Sequence, residues 1–85
     1  MSPAELLEAL VALARDVGLE VGVASGADDA TSGVCRLRGQ IWVLLARCDP
    51  PERCVAVLAG ALRDHAAAEC EARYLPPAVR SALEA

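Results

Sequence analysis

Apolar residues recur with a helical period in the first part of the chain. Over residues 6–17 a Leu, Val or Ala returns every three or four positions, which is typical of an amphipathic helix. Ser2 and Glu5 form the pattern of a capping box, with a proline at the first helical position. Gly18 is a natural stop for a helix. The pattern therefore predicts a helix over residues 3–17.

Shorter apolar segments follow, and their period is that of strands. Residues 19–24 alternate large apolar side chains with polar or small ones, which predicts a first strand. The polar segment 25–32 (SGADDATS) is typical of a loop. Residues 34–38 and 41–47 predict two further strands, and Gly39-Gln40 between them has the length of a hairpin turn.

In such a hairpin, with Arg38 paired to Ile41, the side chains divide between two faces. One face carries Cys35, Leu37, Trp42 and Leu44, and the other carries Val34, Arg36, Arg38, Ile41, Val43 and Leu45. Because the third strand is apolar on both faces, we expect it to lie at the centre of the sheet.

Helices are predicted for the rest of the chain. Asp49-Pro50-Pro51-Glu52 repeats the helix-start pattern, with the aspartate as cap. An Ala-rich helix should then run to about Ala72, and a short helix over residues 77–84 should turn Val79 and Leu83 inward. The core stripe predicted for the long helix is Cys54, Val57, Leu58, Ala61, Leu62 and His65.

These elements predict a single α+β domain over residues 1–85, with a three-stranded mixed or antiparallel sheet. The net charge is −4 and every positive side chain is Arg, so we do not expect a nucleic-acid partner. No apolar run is long enough to cross a membrane, and the N-terminus lacks the basic start of a signal peptide, so we expect a cytoplasmic protein. The absence of Lys and Phe beside abundant Ala and Arg indicates a GC-rich bacterial source.

The chain has four cysteines and one histidine. Their spacing lacks the short C-x2-C turn of structural zinc sites, and cytoplasmic thiols stay reduced. We interpret the cysteines as small buried hydrophobes, with Cys35 and Cys54 on core faces, and His65 as a partly buried core residue. The alternative is a small zinc- or thiol-dependent site built from Cys48, Cys54, His65 and Cys70.

The segments RGQIWVLL (38–45), DPPER (49–53) and VLAGALRD (57–64) resemble the core of the ImmA/IrrE zinc metallopeptidases, and the resemblance covers about residues 33–70. In that family a strand of the form G-x-x-I-x-L/V-N leads through a polar turn with Glu and Arg into a helix bearing A-H-E-L-x-H. Here RGQIWVLL is followed by DPPER and then by VLAGALRD. Ala59 and Leu62 match the Ala and Leu of the family's helix.

The catalytic positions of that family are not kept. Gly60 stands at the first His, Ala61 at the Glu base and Asp64 at the second His, and His65 lies one residue too late. Two imidazoles four residues apart on one helix face must hold Zn²⁺, with a Glu to activate the bound water. The resemblance therefore implies a scaffold without its metal site, and we expect neither a cofactor nor peptidase activity.

The remaining candidate is the hairpin face that carries Arg36, Arg38, Ile41, Val43 and Leu45. Either the first helix covers this face and the Arg stems lie over its edge, or the face is a docking surface with an Arg rim. We expect a noncatalytic interaction or regulatory adaptor module that binds another protein or a second copy of itself. A hydrolase with unconventional groups ranks last, because no nucleophile with an oriented base is visible.

Overall fold

The computed structural model describes residues 2–24 and 32–84. The elements are α1 (Pro3–Asp16), β1 (Glu20–Ala24), β2 (Gly33–Leu37), β3 (Gln40–Ala46), α2 (Pro51–His65), α3 (Ala67–Glu71) and α4 (Pro77–Glu84). The predicted α+β class and the order of one helix, three strands and further helices are confirmed. The predicted loop over residues 25–32, except Ser32, lies outside the described residues.

The start of α1 follows the predicted capping pattern. The Ser2 hydroxyl accepts a hydrogen bond from the backbone N–H of Glu5 at 3.2 Å and donates one to the Glu5 carboxylate at 3.1 Å. At the other end Gly18 has φ +96°, a conformation that glycine adopts without strain. The helix buries one face, made of Leu10, Leu13 and Ala14.

The sheet is mixed, with strand order β1-β3-β2. β1 runs parallel to β3, and β2 runs antiparallel to it. The prediction that the doubly apolar third strand lies at the centre is confirmed. A central strand has a neighbour on each edge and can bury side chains on both faces, which suits its composition.

The predicted hairpin turn is wrong by one residue. The turn is Arg38-Gly39, with φ +52° and +79°, and Leu37 pairs with Gln40 across it. Positive φ at both central residues is typical of the type I′ turn, whose twist matches that of the flanking strands. Arg38 is therefore a turn residue and does not pair with Ile41. The register moves by two residues, so the predicted division into two faces is kept.

The predicted cap of the second helix is also wrong. Pro50 occupies the cap position and no side chain bonds to the first turn. Because α2 begins at Pro51, Asp49 lies one residue too early to cap it. Its carboxylate instead accepts a hydrogen bond from the backbone N–H of Ser32 at 2.9 Å.

The long second helix ends earlier than predicted, at His65 instead of about Ala72. Ala66 has φ −145° and ψ +29°, and the short α3 begins after it. The local sequence is rich in alanine and favours a continuous helix, so tertiary packing overrides propensity here. The turn buries Ala66 and Cys70, whereas His65, predicted on the core stripe, is exposed.

The core lies between one face of the sheet and the helices. α1 packs on β1 and α2, α2 packs on β3, and α4 packs on α1 and α2. The fully buried larger side chains are Leu10, Leu58, Leu62, Val43 and Val79. As predicted, Val79 faces inward, and Leu83 packs partly buried against the same core. No helix within the described residues is long and apolar enough to cross a membrane.

Candidate functional site

The residues predicted to form a docking surface lie mostly on the helix side of the sheet. Val43 is fully buried and Leu45 is 9 % exposed, and both belong to the core. Ile41 is half-buried against that core, whereas Arg36 and Arg38 are exposed. Of the five residues, mainly the two arginines and part of Ile41 are accessible to solvent. Binding by these residues stays a prediction.

The side chains of the three strands separate cleanly by register. The helix face consists of Val21, Val23, Val34, Arg36, Ile41, Val43 and Leu45. The open face consists of Glu20, Gly22, Gly33, Cys35, Leu37, Gln40, Trp42, Leu44 and Ala46. Ala46, at the end of β3, is the one buried member of this face among the described residues, and no member belongs to the hydrophobic core cluster. The sheet therefore has an apolar surface that the described helices do not cover.

Trp42 and Leu44 form the centre of the open face. Both are half-buried, and both lie beside Gly22 of the neighbouring strand. A Cβ placed on Gly22 would come 3.5 Å from a methyl of Leu44 and 3.6 Å from the indole of Trp42. Trp42 and Leu44 therefore lie over β1 at Gly22, at distances that would leave room for a methyl group in ordinary contact.

Exposed residues surround this apolar centre. Cys35 pairs directly with Trp42, and Leu37, 56 % exposed, lies diagonal to it on the same face. The polar groups are Glu20, which pairs with Trp42 from the other side, and Gln40 near the turn. An apolar centre that contains an aromatic anchor, with polar groups around it, is the composition of protein–protein interfaces.

A buried polar cluster lies where β3 ends and α2 begins. The Ser32 hydroxyl accepts a hydrogen bond from the backbone N–H of Ala46 at 2.9 Å and lies 3.8 Å from the Cys54 thiol. The backbone N–H of Ser32 bonds to Asp49, which lowers the pKa of that carboxyl; the nearby Arg53 lowers it further. These contacts join the residue before β2 to the end of β3 and the start of α2, which is a structural role.

A cleft of about 210 Å³ opens beside the end of α2, α3 and α4. Its lining includes the apolar Leu62, Leu75 and Leu83 and the charged Arg80 and Glu84. Sites for small molecules usually enclose about 300–1,000 Å³. The cleft is smaller than that.

The cysteines occupy four separate environments. Cys54 and Cys70 are buried, as expected for small hydrophobes, and Cys48 and Cys35 are exposed, so the prediction of a core face for Cys35 is wrong. Burial raises the pKa of the Cys70 thiol, and the charge of Glu69 raises it further, which disfavours the reactive thiolate.

The alternative zinc or thiol site is divided in space. Cys54 and Cys70 are inside the core, whereas Cys48 and His65 are exposed. Within residues 2–24 and 32–84, no three His, Cys, Asp or Glu side chains lie close enough together to hold a metal ion. No observation therefore favours a metal or thiol site built from these four residues.

The positions singled out by the metallopeptidase resemblance all lie in α2. Ala61 is 2 % exposed within the core, Gly60 is half-buried, and Asp64 and His65 are exposed. No protein-family model, curated protein or solved structure matches the chain.

The composition of the open face was predictable from the sequence, but its availability was not. The alternation of residues 40–44 already groups Trp42 and Leu44 on one side. The information that was missing is how β1 pairs with β3. The valines of β1 align with Val43 and Leu45 and so identify the helix face, whereas Gly22 aligns with Leu44 on the open face. That register is set by a parallel pairing about twenty residues away in sequence, and no local pattern encodes it.

Proposed function

We propose that this chain is a noncatalytic protein-binding module that docks a partner protein on its open face. The observation that carries the proposal is the apolar centre formed by Trp42 and Leu44, which no described helix covers. Both side chains are half-buried, and the apolar area that they still expose gains about 25 cal/mol per Å² when a partner removes it from water. The compartment we propose is the cytoplasm, where its free thiols would stay reduced.

The chemistry of the open face suits a partner with an apolar contact patch. Trp42 offers a large, rigid anchor, and Leu37 extends the apolar area toward the hairpin turn. Glu20 and Gln40 can accept hydrogen bonds at the rim and fix the orientation of the partner. Tryptophan is among the residues that contribute most to binding energy at protein interfaces.

Support for a noncatalytic role comes from α2. If the chain descends from a zinc-peptidase scaffold, the position of the general base is now Ala61, whose side chain contacts the core. Asp64 and the exposed His65 cannot replace two imidazoles on one helix face. We therefore propose a former catalytic scaffold that retains only binding.

The test combines capture with the fluorescence of a unique reporter. The immobilised chain would be exposed to a lysate of its source cells, beside the variants Trp42→Ala and Leu37→Lys. We expect a discrete protein to be retained by the wild type and lost with both variants. Trp42 is the only tryptophan, so a purified tryptophan-free fragment of that protein should shift its emission to shorter wavelength as the indole leaves water.

Two controls keep this experiment decisive. Ala56→Lys changes an exposed residue of α2 and should retain the partner as the wild type does. Circular dichroism must show the same fold for all variants, and we expect Leu37→Lys to fold because Leu37 is 56 % exposed. Equal retention by all four proteins, or an unchanged emission spectrum on binding, would contradict the proposal.

A further inference from the structure

β2 is an edge strand with an unusually accessible free side. Within residues 2–24 and 32–84 it pairs with β3 alone, and all its residues except Gly33 are exposed. Val34 and Leu37, on opposite faces of the strand, are 43 % and 56 % exposed. The strand contains no proline, and its pairing with β3 is continuous over five residues. Such edges are templates for pairing with another strand.

We propose that two copies of this chain pair through β2, antiparallel, about a twofold axis that passes beside Cys35. The partner is thus a second copy, which joins two three-stranded sheets into one of six strands. This inference extends the proposed binding function, but it uses a different surface: the backbone of the edge, not the open face.

The turn determines which backbone groups of β2 point outward. In a two-residue hairpin the residues that flank the turn, here Leu37 and Gln40, exchange both hydrogen bonds. Because antiparallel bonding alternates along a strand, Cys35 and Gly33 also bond inward to β3. The N–H and C=O groups of Val34 and Arg36 therefore point to the free side of the strand.

Symmetry then limits the register of pairing. A twofold axis that sets two edge strands antiparallel must stand perpendicular to the sheet, so each residue pairs with one of the same face. An axis at Cys35 pairs Val34 with Arg36 of the second copy, and Arg36 with Val34. All four outward-pointing groups on each strand are then used, and the five residues of β2 overlap completely.

Neighbouring registers are worse for identifiable reasons. An axis at Arg36 places two guanidinium groups directly opposite each other, and like charges in that position are destabilising. An axis at Val34 requires Arg36 to bond to Ser32 of the second copy, whose backbone N–H is already donated to Asp49. The register centred on Cys35 avoids both conflicts.

The helices leave room for this pairing. Val34 and Arg36 belong to the helix face and are nevertheless exposed, so α2 does not overhang the free side of β2. The symmetry keeps the helices of both copies on one side of the six-stranded sheet. The two open faces then join into one surface of double width on the other side.

The interface is small. Stable dimers usually bury more than about 1,000 Å², and a single five-residue strand contributes less than that. The dimer should therefore be weak and form at high protein concentration. Its specificity comes from the hydrogen bonds and from the pairing of Val34 with Arg36, so a change in charge at that pair should alter its affinity.

The first test is a matched pair of charge variants. Val34→Glu places a carboxylate opposite Arg36 twice in the dimer, and Val34→Arg places a second guanidinium there twice. Sedimentation equilibrium of the reduced proteins, from micromolar to millimolar concentration, should show a tighter dimer for the first and a weaker one for the second. The two Kd values should lie on opposite sides of the wild type, each by about 2- to 30-fold.

The second test uses Cys35 as a reporter of the axis. Paired residues at a position without hydrogen bonds lie about 4.5 Å apart between Cα atoms, within the range of about 4.4–6.8 Å found in disulfides. Diamide should take two electrons and two protons from the two thiols and leave a Cys35–Cys35 bond between copies. We expect a covalent dimer in the wild type and in Cys48→Ser, and none in Cys35→Ser.

The tests need no partner protein, so their outcome is independent of the docking experiment on the open face. A wild type that stays monomeric at millimolar concentration would overturn the dimer and leave partner docking to its own test. The dimer would also be refuted if Val34→Glu and Val34→Arg shifted the Kd in the same direction, or if cross-linking required Cys48 instead of Cys35.

Discussion

Arg38 provides the sharpest test of the hairpin. It is the one non-glycine residue with positive φ among the described residues, at +52°, and it occupies the first central position of the type I′ turn. Asparagine is enriched several-fold in this region of φ/ψ space, whereas β-branched residues there are outliers. Arg38→Asn should therefore stabilise the protein, and Arg38→Val should destabilise it.

The magnitude follows from the backbone. A non-glycine L-residue in the left-handed conformation loses about 1–2 kcal/mol relative to the right-handed one. Asparagine recovers part of that loss, so we expect Arg38→Asn to gain about 0.5–1 kcal/mol of unfolding free energy. For a domain of this size the Tm should rise by about 2–8 °C. Arg38→Val should lose about 1 kcal/mol or more.

Thermal and urea unfolding, followed by circular dichroism, would measure both variants. Arg36→Asn is the matched control: the same replacement at an exposed position in the extended strand should give a small loss, because asparagine is disfavoured in strands. The register predicted from the sequence places Arg38 in a strand and requires the opposite signs. A gain for Arg38→Val together with a loss for Arg38→Asn would refute the observed turn.

Two further predictions concern Gly22 and Asp49. Gly22→Ala should stabilise the protein by about 0.5–1 kcal/mol, because glycine in a strand is entropically costly and the added Cβ would meet Leu44 at an ordinary 3.5 Å. Thermal melting should show a higher Tm for this variant. The control Gly18→Ala should show a lower Tm, because Gly18 has φ +96°. Asp49→Asn should destabilise at neutral pH, because the hydrogen bond from Ser32 holds the pKa of Asp49 below its ordinary value. The stability that the ionised Asp49 contributes is fully present above the pKa of about 3.9 that Asp has in the unfolded chain, and it is lost as the pH falls through the lower pKa of the folded protein. The difference in unfolding free energy between Asp49→Asn and the wild type should therefore vanish in acid. A difference that stays constant from pH 7 to pH 2 in urea titrations would contradict this account.

The helical periods and the strand alternation were sufficient to predict the fold class. The capping pattern of Ser2 and Glu5 and the break before α4 placed two helices to within a residue. The hairpin faces were also predicted correctly in spite of the wrong turn. A register shift of two residues returns every side chain to the same face, because the period of a strand is two.

The remaining errors share a cause in tertiary structure. Asp49 has the residue type of a cap, yet its carboxylate bonds to Ser32, which lies 17 positions away. His65 continues the apolar stripe of α2, yet the break at Ala66 ends that helix and leaves His65 exposed. Neither the position of Ser32 nor the packing that favours the break is encoded in a local pattern.

The choice between the two faces of the sheet was open for a physical reason. β3 is apolar on both sides, so its composition favours neither face for the helices. β1 decides the matter, because Val21 aligns with Val43 and packs against the core, whereas Gly22 aligns with Leu44 and has no side chain to bury. The candidate surface thus moved from Arg36 and its neighbours on the helix face to the other side of the same strand.

The two proposed surfaces would contribute different things to one assembly. Edge pairing through β2 supplies directional hydrogen bonds but removes little apolar area from water, so it defines orientation with little affinity. The open face offers apolar area, at about 2.5 kcal/mol for each 100 Å² that a partner covers, but it is flat and defines orientation poorly.

Because the twofold axis keeps both open faces on one side, the dimer presents Trp42 twice toward the same partner surface. A partner with two matching patches would then bind the dimer more tightly than the monomer, by making its second contact intramolecular. Weak self-association through Val34 and Arg36 can in this way control the affinity of a docking site that it does not touch.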